Sequence, residues 1–193
     1  MSCKTGHGRS NIMIHQQIKP EMWESSQALF WKNPSEETYY LRKRWEILGL
    51  DSFLDLGCGN GRHALFFAED GYTVTAYDRE EIDFGSLKEQ VNELGLEMSY
   101  LQGSLSHLPF NATSFDAILA YDSLVDLNEH QLMEIINQIY HCLKTGGECY
   151  LRLPINLGSF PKLIEKFQVI SYKRVQSYQD EKFIETDHLL LKK

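Results

Sequence analysis

Residues 54–61 read LDLGCGNG: an apolar run holding one acid, Asp55, and then three glycines in five positions, Gly57, Gly59 and Gly61. A glycine cluster alone fits any tight strand-to-helix turn. This one lies between FLDL, which reads as a short buried strand, and GRHALFFAED, which reads as a short helix. At such a junction a helix N-terminus, with unpaired N–H groups and partial positive charge, faces the edge of a sheet. Glycine there removes the Cβ that would hold a ligand off the backbone. The next strand, YTVTAYD, ends at Asp78, 21 residues after Gly57. A carboxylate at that distance can accept hydrogen bonds from both hydroxyls of a ribose. A dinucleotide loop, G-x-G-x-x-G, would need a third glycine at position 62, where Arg62 stands, so the pattern is D-x-G-x-G-x-G and a nicotinamide oxidoreductase is disfavoured.

Outward from this loop the chain alternates regularly. EIDFGSLKEQVNELG predicts a helix with Leu87, Val91 and Leu94 at helical spacing, MSYLQG a strand, and FDAILAYD another strand. NEHQLMEIINQIYHCLK places Leu132, Ile135, Ile136, Ile139 and Leu143 on one stripe and stops at Gly146-Gly147, before the strand ECYLRLP. PKLIEKF reads as a short helix. FQVISYKRVQSY and FIETDHLLLKK read as two strands joined by QDEK, short enough for a hairpin. The expected fold is α/β: a seven-stranded, mostly parallel sheet with helices on both faces and an antiparallel C-terminal hairpin.

The N-terminal part differs. Residues 1–20 are polar and aperiodic and read as a flexible tail, leaving 21–193 as a single domain. EMWESSQALFWK predicts a helix. Asn33-Pro34-Ser35-Glu36 predicts the start of another, with Asn33 as cap and Pro34 in the first helical position, running to Gly49. Together residues 21–49 form an expected helical lid, dense in Trp23, Phe30, Trp31, Tyr39 and Tyr40, although plain core packing accounts for those aromatics equally.

With 193 residues, 42% hydrophobic and 24% charged, the composition is that of an ordinary soluble domain. The net charge of −8 argues against a nucleic-acid partner, which needs clustered cations. Cys3, Cys58, Cys142 and Cys149 form no CxxC pair, so reduced thiols and no metal site are expected. Neither an 18-residue apolar run nor a secretory pattern is present, which makes a membrane span unexpected and the cytoplasm the expected compartment.

LDLGCGNGRHALFFAEDGYTVTAYD resembles the first motif and second-strand acid of class I S-adenosylmethionine-dependent methyltransferases. LQGSLSHLPFNATSFDAIL resembles that family's third and fourth strands with their LPF loop, LKTGGECYL its LKPGG turn, and the closing hairpin its sixth and seventh strands. The resemblance covers about residues 50–193 and implies S-adenosylmethionine as cofactor and S-adenosylhomocysteine as product. It implies that Gly57, Cys58, Gly59 and Gly61 face the methionine part, that Asp55 holds its amino group, that Asp78 takes the ribose hydroxyls and that Arg79 lies along the adenosine. Gly103-Ser104-Leu105 stands where the family commonly has Gly-Asp against the adenine; here the serine hydroxyl and the Leu105 N–H would serve.

The acceptor is less legible. No N/D-P-P-Y/F motif follows the fourth strand, where AYDSL stands. Tyr121 and Asp122, at that strand's end, are the catalytic candidates, with Tyr121 also against the cofactor. Trp31, Tyr39, Tyr40, Asp126 and Arg152 are the acceptor-side candidates, Arg152 as a partner for an anionic group. His63 and His130 are weaker candidates for a base. With no inserted substrate domain, a small-molecule acceptor is expected. The alternative is a non-catalytic protein of the same fold that keeps the nucleotide pocket.

Overall fold

The structure, a computed structural model, describes residues 33–79, 82–154, 162, 164–179 and 182–193. The predicted tail and the first predicted helix lie outside them; of PKLIEKF, Lys162 and residues 164–167 are described, and 164–167 form a turn closed by the Phe167 N–H on the Ile164 carbonyl rather than the expected helix. In chain order the described elements are α1 (Glu36–Leu48), β1 (Ser52–Leu56), α2 (Arg62–Glu69), β2 (Thr73–Asp78), α3 (Gly85–Glu93), β3 (Met98–Gln102), β4 (Phe115–Ala120), α4 (Glu129–Cys142), β5 (Leu143–Pro154), β6 (Gln168–Gln179) and β7 (Lys182–Lys192).

The strands form one sheet in the order β3-β2-β1-β4-β5-β7-β6. β1 to β5 run parallel, while β7 pairs antiparallel with both β5 and β6. The register aligns Leu56 with Tyr77 and Asp78 with Gln102, so the strand ends carrying the glycine loop and Asp78 meet at one edge. Strand order reverses between β1 and β4, which leaves a crevice there at the carboxyl ends, the usual place for a ligand in this architecture.

Two cores cover the two faces. Leu41 and Trp45 of α1, Ala64 and Phe67 of α2, and Leu87 and Val91 of α3 pack with Phe53, Val74, Ala76, Leu119 and Leu190. Leu132, Ile135, Ile136 and Ile139 of α4 pack with Leu54, Leu56, Ile118, Leu151, Leu189 and Leu191 on the other face. The start of α4 is fixed by a capping box: the Gln131 N–H donates to the Asn128 side chain, and the Asn128 N–H donates to the Gln131 side chain.

Three boundaries differ from the sequence reading. α1 begins at Glu36 with Ser35, not Asn33, at the cap position, because the Ser35 N–H is drawn to His63 Nε2 and its backbone stays extended. Leu94 ends α3 on the exposed side and is not part of the buried stripe. β5 begins at Leu143, ahead of the two glycines, because Gly146 donates to the Lys193 carbonyl and Lys193 to the Gly147 carbonyl, extending the ladder.

The first helix is locked to the sheet through Glu148 of β5, which is fully buried. Its carboxylate accepts two bonds from Arg44, at 2.8 and 2.7 Å, and one from Trp45 Nε1 at 3.1 Å. Removing the acceptor strands a buried indole N–H and breaks a bidentate pair. Glu148→Ala is therefore expected to cost about 3 kcal/mol, lowering the melting midpoint by roughly 6–12 °C in a calorimetric scan, with Glu148→Gln intermediate.

Candidate active site

The three glycines of the loop after β1 all have positive φ, +74°, +55° and +78°, but the space around them differs. A Cβ on Gly57 would sit 2.1 Å from Cβ of Ser123, and one on Gly61 would sit 2.3 Å from Leu87. A Cβ on Gly59 would meet nothing within 4 Å. The outer two glycines let the loop press against β4's exit and α3; the middle one opens onto free space.

Asp78 ties this loop to β2. Its carboxylate accepts the Gly59 N–H at 2.6 Å and the Arg79 N–H at 2.7 Å. Asp55, 1% exposed, accepts the Ala64 N–H at 2.9 Å. Gly61 occupies the N-cap of α2 and has no side chain to cap with, so Asp55 supplies a cap from the preceding strand. Burial pushes the Asp55 carboxyl up to about 7; the Ala64 N–H opposes this and the charge of Asp78 adds to it.

Beside the loop, on the α1 face, lies a polar cluster. Tyr121 leaves β4 with its ring 5.1 Å from that of His63, and its hydroxyl reaches Glu37 at 3.4 Å. Glu37 also accepts from Lys173 at 3.0 Å. Asp122 is in the left-handed region, φ +62°, and pairs with the buried Arg152 at 2.6 Å. Arg152 Nε donates to Thr186, whose hydroxyl meets His188 Nε2 at 3.0 Å; His188 Nδ1 meets the Tyr150 hydroxyl at 2.6 Å. Burial lowers His63 to about 3 and His188 to about 4, leaving both neutral at pH 7. Burial, foremost, raises the Tyr121 phenol, which keeps its proton. Glu37 is lowered by its bonds and charges, Lys173 chief among them, against the pull of burial.

Residues 53–147 match a family described as a methyltransferase domain. This stretch is a methyltransferase domain. Among its relatives, an uncharacterized methyltransferase of Synechocystis is 33% identical over 94 residues, 49% of this chain and 42% of that protein. A ubiquinone biosynthesis O-methyltransferase of Vibrio parahaemolyticus is 25% identical, over 73% of this chain and 60% of that one. The chain thus spans about two fifths to three fifths of these relatives' length. The fold is shared with the crystal structure of TehB from Haemophilus influenzae, at a TM-score of 0.71 and 17% identity, covering 83% of this chain and 62% of that one. It is also shared with a Burkholderia thailandensis 1,6-didemethyltoxoflavin N1-methyltransferase holding S-adenosylhomocysteine, at 0.67 and 15%, covering 90% and 84%.

Within this methyltransferase domain the remaining candidates are dispersed. Gly103 and Ser104 follow β3 beside Asp78, the Gly103 N–H donating to the Asp78 carbonyl at 2.9 Å. The Ser104 hydroxyl is engaged with Ser106 at 2.8 Å, while Leu105 packs against the α4-side core. Cys58 is buried and burial pushes its thiol far up, so it is an unreactive wall. Arg79 and Asp126 are exposed. His130 is exposed and faces Glu134 at 3.6 Å. Tyr39 packs edge-on against Phe66, and Tyr40 is exposed near Arg44. Trp23, Phe30 and Trp31 lie outside the described residues. A groove of about 850 Å³ lined by Tyr72, Lys88, Val91, Met98 and Tyr100 sits at the opposite edge, where β2 and β3 begin.

Glu37, Tyr150, Thr186 and His188 were not foreseen. A signal existed: Glu148, Tyr150 and Arg152 alternate through an otherwise apolar strand, marking one face of β5 as polar.

The glycine geometry sets an order of tolerance. Gly57→Ala and Gly61→Ala combine a left-handed backbone with a clash and are each expected to cost about 3 kcal/mol in chemical denaturation, against about 1–2 kcal/mol for Gly59→Ala. Adding Ser123→Gly to Gly57→Ala should recover part of the loss.

Proposed function

We propose that this chain transfers a methyl group from S-adenosylmethionine to a small-molecule acceptor, in the cytoplasm. The observation that carries the reading is the open side of Gly59, between a buried Asp55 and an Asp78 already committed to the loop. In this reading the backbone of Gly57, Cys58, Gly59 and Gly61 lies along the methionine part. Asp55 faces its ammonium, Asp78 takes the ribose hydroxyls, Arg79 flanks the adenosine, and Gly103, Ser104 and Leu105 meet the adenine. Tyr121 closes the methyl end. Residues 35–48 act as a cover for the acceptor, supported by Ser35 and Glu37 standing against His63 and Tyr121. The free, buried Cys58, Cys142 and Cys149 suit a reducing compartment.

In the transfer, a lone pair of the acceptor forms a bond to the methyl carbon as the carbon–sulfur bond breaks. Its pair stays on sulfur, the sulfonium becomes a neutral thioether, and any proton on the acceptor atom leaves. Alignment of donor and acceptor can supply roughly 7–11 kcal/mol of the barrier. Where a proton must leave, Glu37, ionised, is the nearby acceptor; His63 stays neutral with Nε2 taken by the Ser35 N–H, and Tyr121 is a donor, not a base. Asp122 is occupied by Arg152 and serves position, not proton transfer.

Asp78→Ala is expected to weaken S-adenosylhomocysteine binding about 10–100-fold by calorimetry, the loss of a charge-assisted bond of about 1.5–3 kcal/mol. Unchanged affinity would remove Asp78 from the site. Cell extract incubated with methyl-labelled cofactor separates catalysis from mere binding: a labelled small product supports transfer, whereas tight binding without product favours a regulatory protein.

The buried Asp55 also predicts a pH effect. A bound ammonium favours the carboxylate, so below about 7 cofactor binding must expel a proton. Affinity for S-adenosylhomocysteine should rise between pH 5 and pH 7 by up to about tenfold per unit and then level, and Asp55→Asn should bind weakly with little slope.

A further inference from the structure

We infer that Arg152 is the anchor for a carboxylate on the acceptor, and that Asp122 is the internal counter-ion the acceptor's carboxylate partly replaces. Arg152 is 4% exposed, so its donors have little water to fall back on. Nη1 is 2.6 Å from both oxygens of Asp122, and Nε donates to Thr186. Among the described residues no acceptor stands on Nη2. A buried guanidinium whose Nη2 meets no acceptor among the described residues can give a planar carboxylate one N–H bond outright and a second, parallel one from Nη1 as Asp122 yields its place.

The position fits the reacting end of the site. Ser123 touches the glycine loop at Gly57, and Asp122, next in the chain, holds Arg152. The guanidinium lies 5.1 Å from the centre of the Tyr121 ring. An acid bound there is one side chain away from the wall assigned to the methyl donor.

The charges point the same way. Arg62 and Arg152 flank the Tyr121 ring, with Glu37 at its hydroxyl and Asp122 on Arg152, so a carboxylate entering beside Arg152 meets two guanidiniums. Asp122 itself is in a left-handed conformation uncommon for a residue other than glycine, and such backbone persists at functional sites when the surroundings hold it. Because Arg152 holds the carboxylate, that group is the handle, and the methylated atom lies elsewhere on the molecule.

The proposal rests on the methyl-transfer reading for its meaning as an acceptor subsite, but not for its test. Benzoate and its neutral isostere benzamide serve as probes, titrated by protein-observed NMR into the full chain saturated with S-adenosylhomocysteine. Benzoate should bind about tenfold or more tightly than benzamide. Arg152→Lys keeps the charge but loses the fork, and should weaken benzoate about tenfold while leaving benzamide unchanged. Asp122→Asn removes the competing carboxylate and should strengthen benzoate severalfold, which keeps the test decisive if the arginine variant fails to fold. Equal affinity for the two probes, no benzoate binding, or an Asp122→Asn variant no tighter than the parent overturns the proposal. Calorimetry with S-adenosylhomocysteine is read separately, so loss of the cofactor reading and loss of the anion site are distinct results.

Discussion

The backbone at Gly57 lies so near Ser123 that the two positions cannot both carry an ordinary Cβ: the atoms would be 2.1 Å apart. This closeness joins the loop after β1 to the loop after β4 at the point where strand order reverses. Parallel strands with right-handed crossovers create a crevice there in any such sheet. Here the glycine narrows it until the wall assigned to the cofactor and the wall assigned to the acceptor are adjacent residues. Asp78, holding Gly59, and Asp55, holding Ala64, then fix the loop from the opposite side. The two acids thus hold the loop in shape without any ligand.

The alternation of strands and helices, the glycine loop and the hairpin were legible because each depends on local periodicity. Asp78 was legible because its place is fixed by one strand–helix–strand unit. The acceptor side was not, since its contacts join distant parts of the chain. Lys173 meets Glu37 across 136 residues, and Tyr150 meets His188 across 38. The second pair exists only because the β5–β7 register sets Arg152 opposite His188, and a shift of one residue would have turned His188 to the other face. The start of α1 was misplaced for a related reason. Capping statistics favour Asn33 before Pro34, yet a tertiary bond from Ser35 to His63 decides where the helix begins.

His63 and His188 contribute to the site by staying uncharged. Both are buried among cations and carboxylates, and burial holds both well below their ordinary value. Each can then accept a hydrogen bond, His63 from Ser35 and His188 within the Thr186–Tyr150 chain. A charged imidazole would stand against Arg62 at His63 and against Arg152 and Lys173 at His188.

On the proposed reading, the two arginines bear on which acceptors such a pocket favours. The methyl donor is itself a sulfonium, and two guanidiniums flank Tyr121 beside its assigned place. At an effective dielectric constant of about 20, a like-charge pair about 5–8 Å apart would cost about 2–3 kcal/mol, and less for Arg152, whose charge Asp122 offsets. A neutral acceptor leaves that repulsion in place, and a cationic one adds to it. An anionic acceptor offsets it and can enter alongside the donor. Transfer then discharges the sulfonium, leaving a neutral thioether and an acceptor that has gained a methyl group. On the proposed reading, the repulsion between the sulfonium and the arginines is present before transfer and absent after it, so arginines that favour an anionic acceptor would also favour the forward direction.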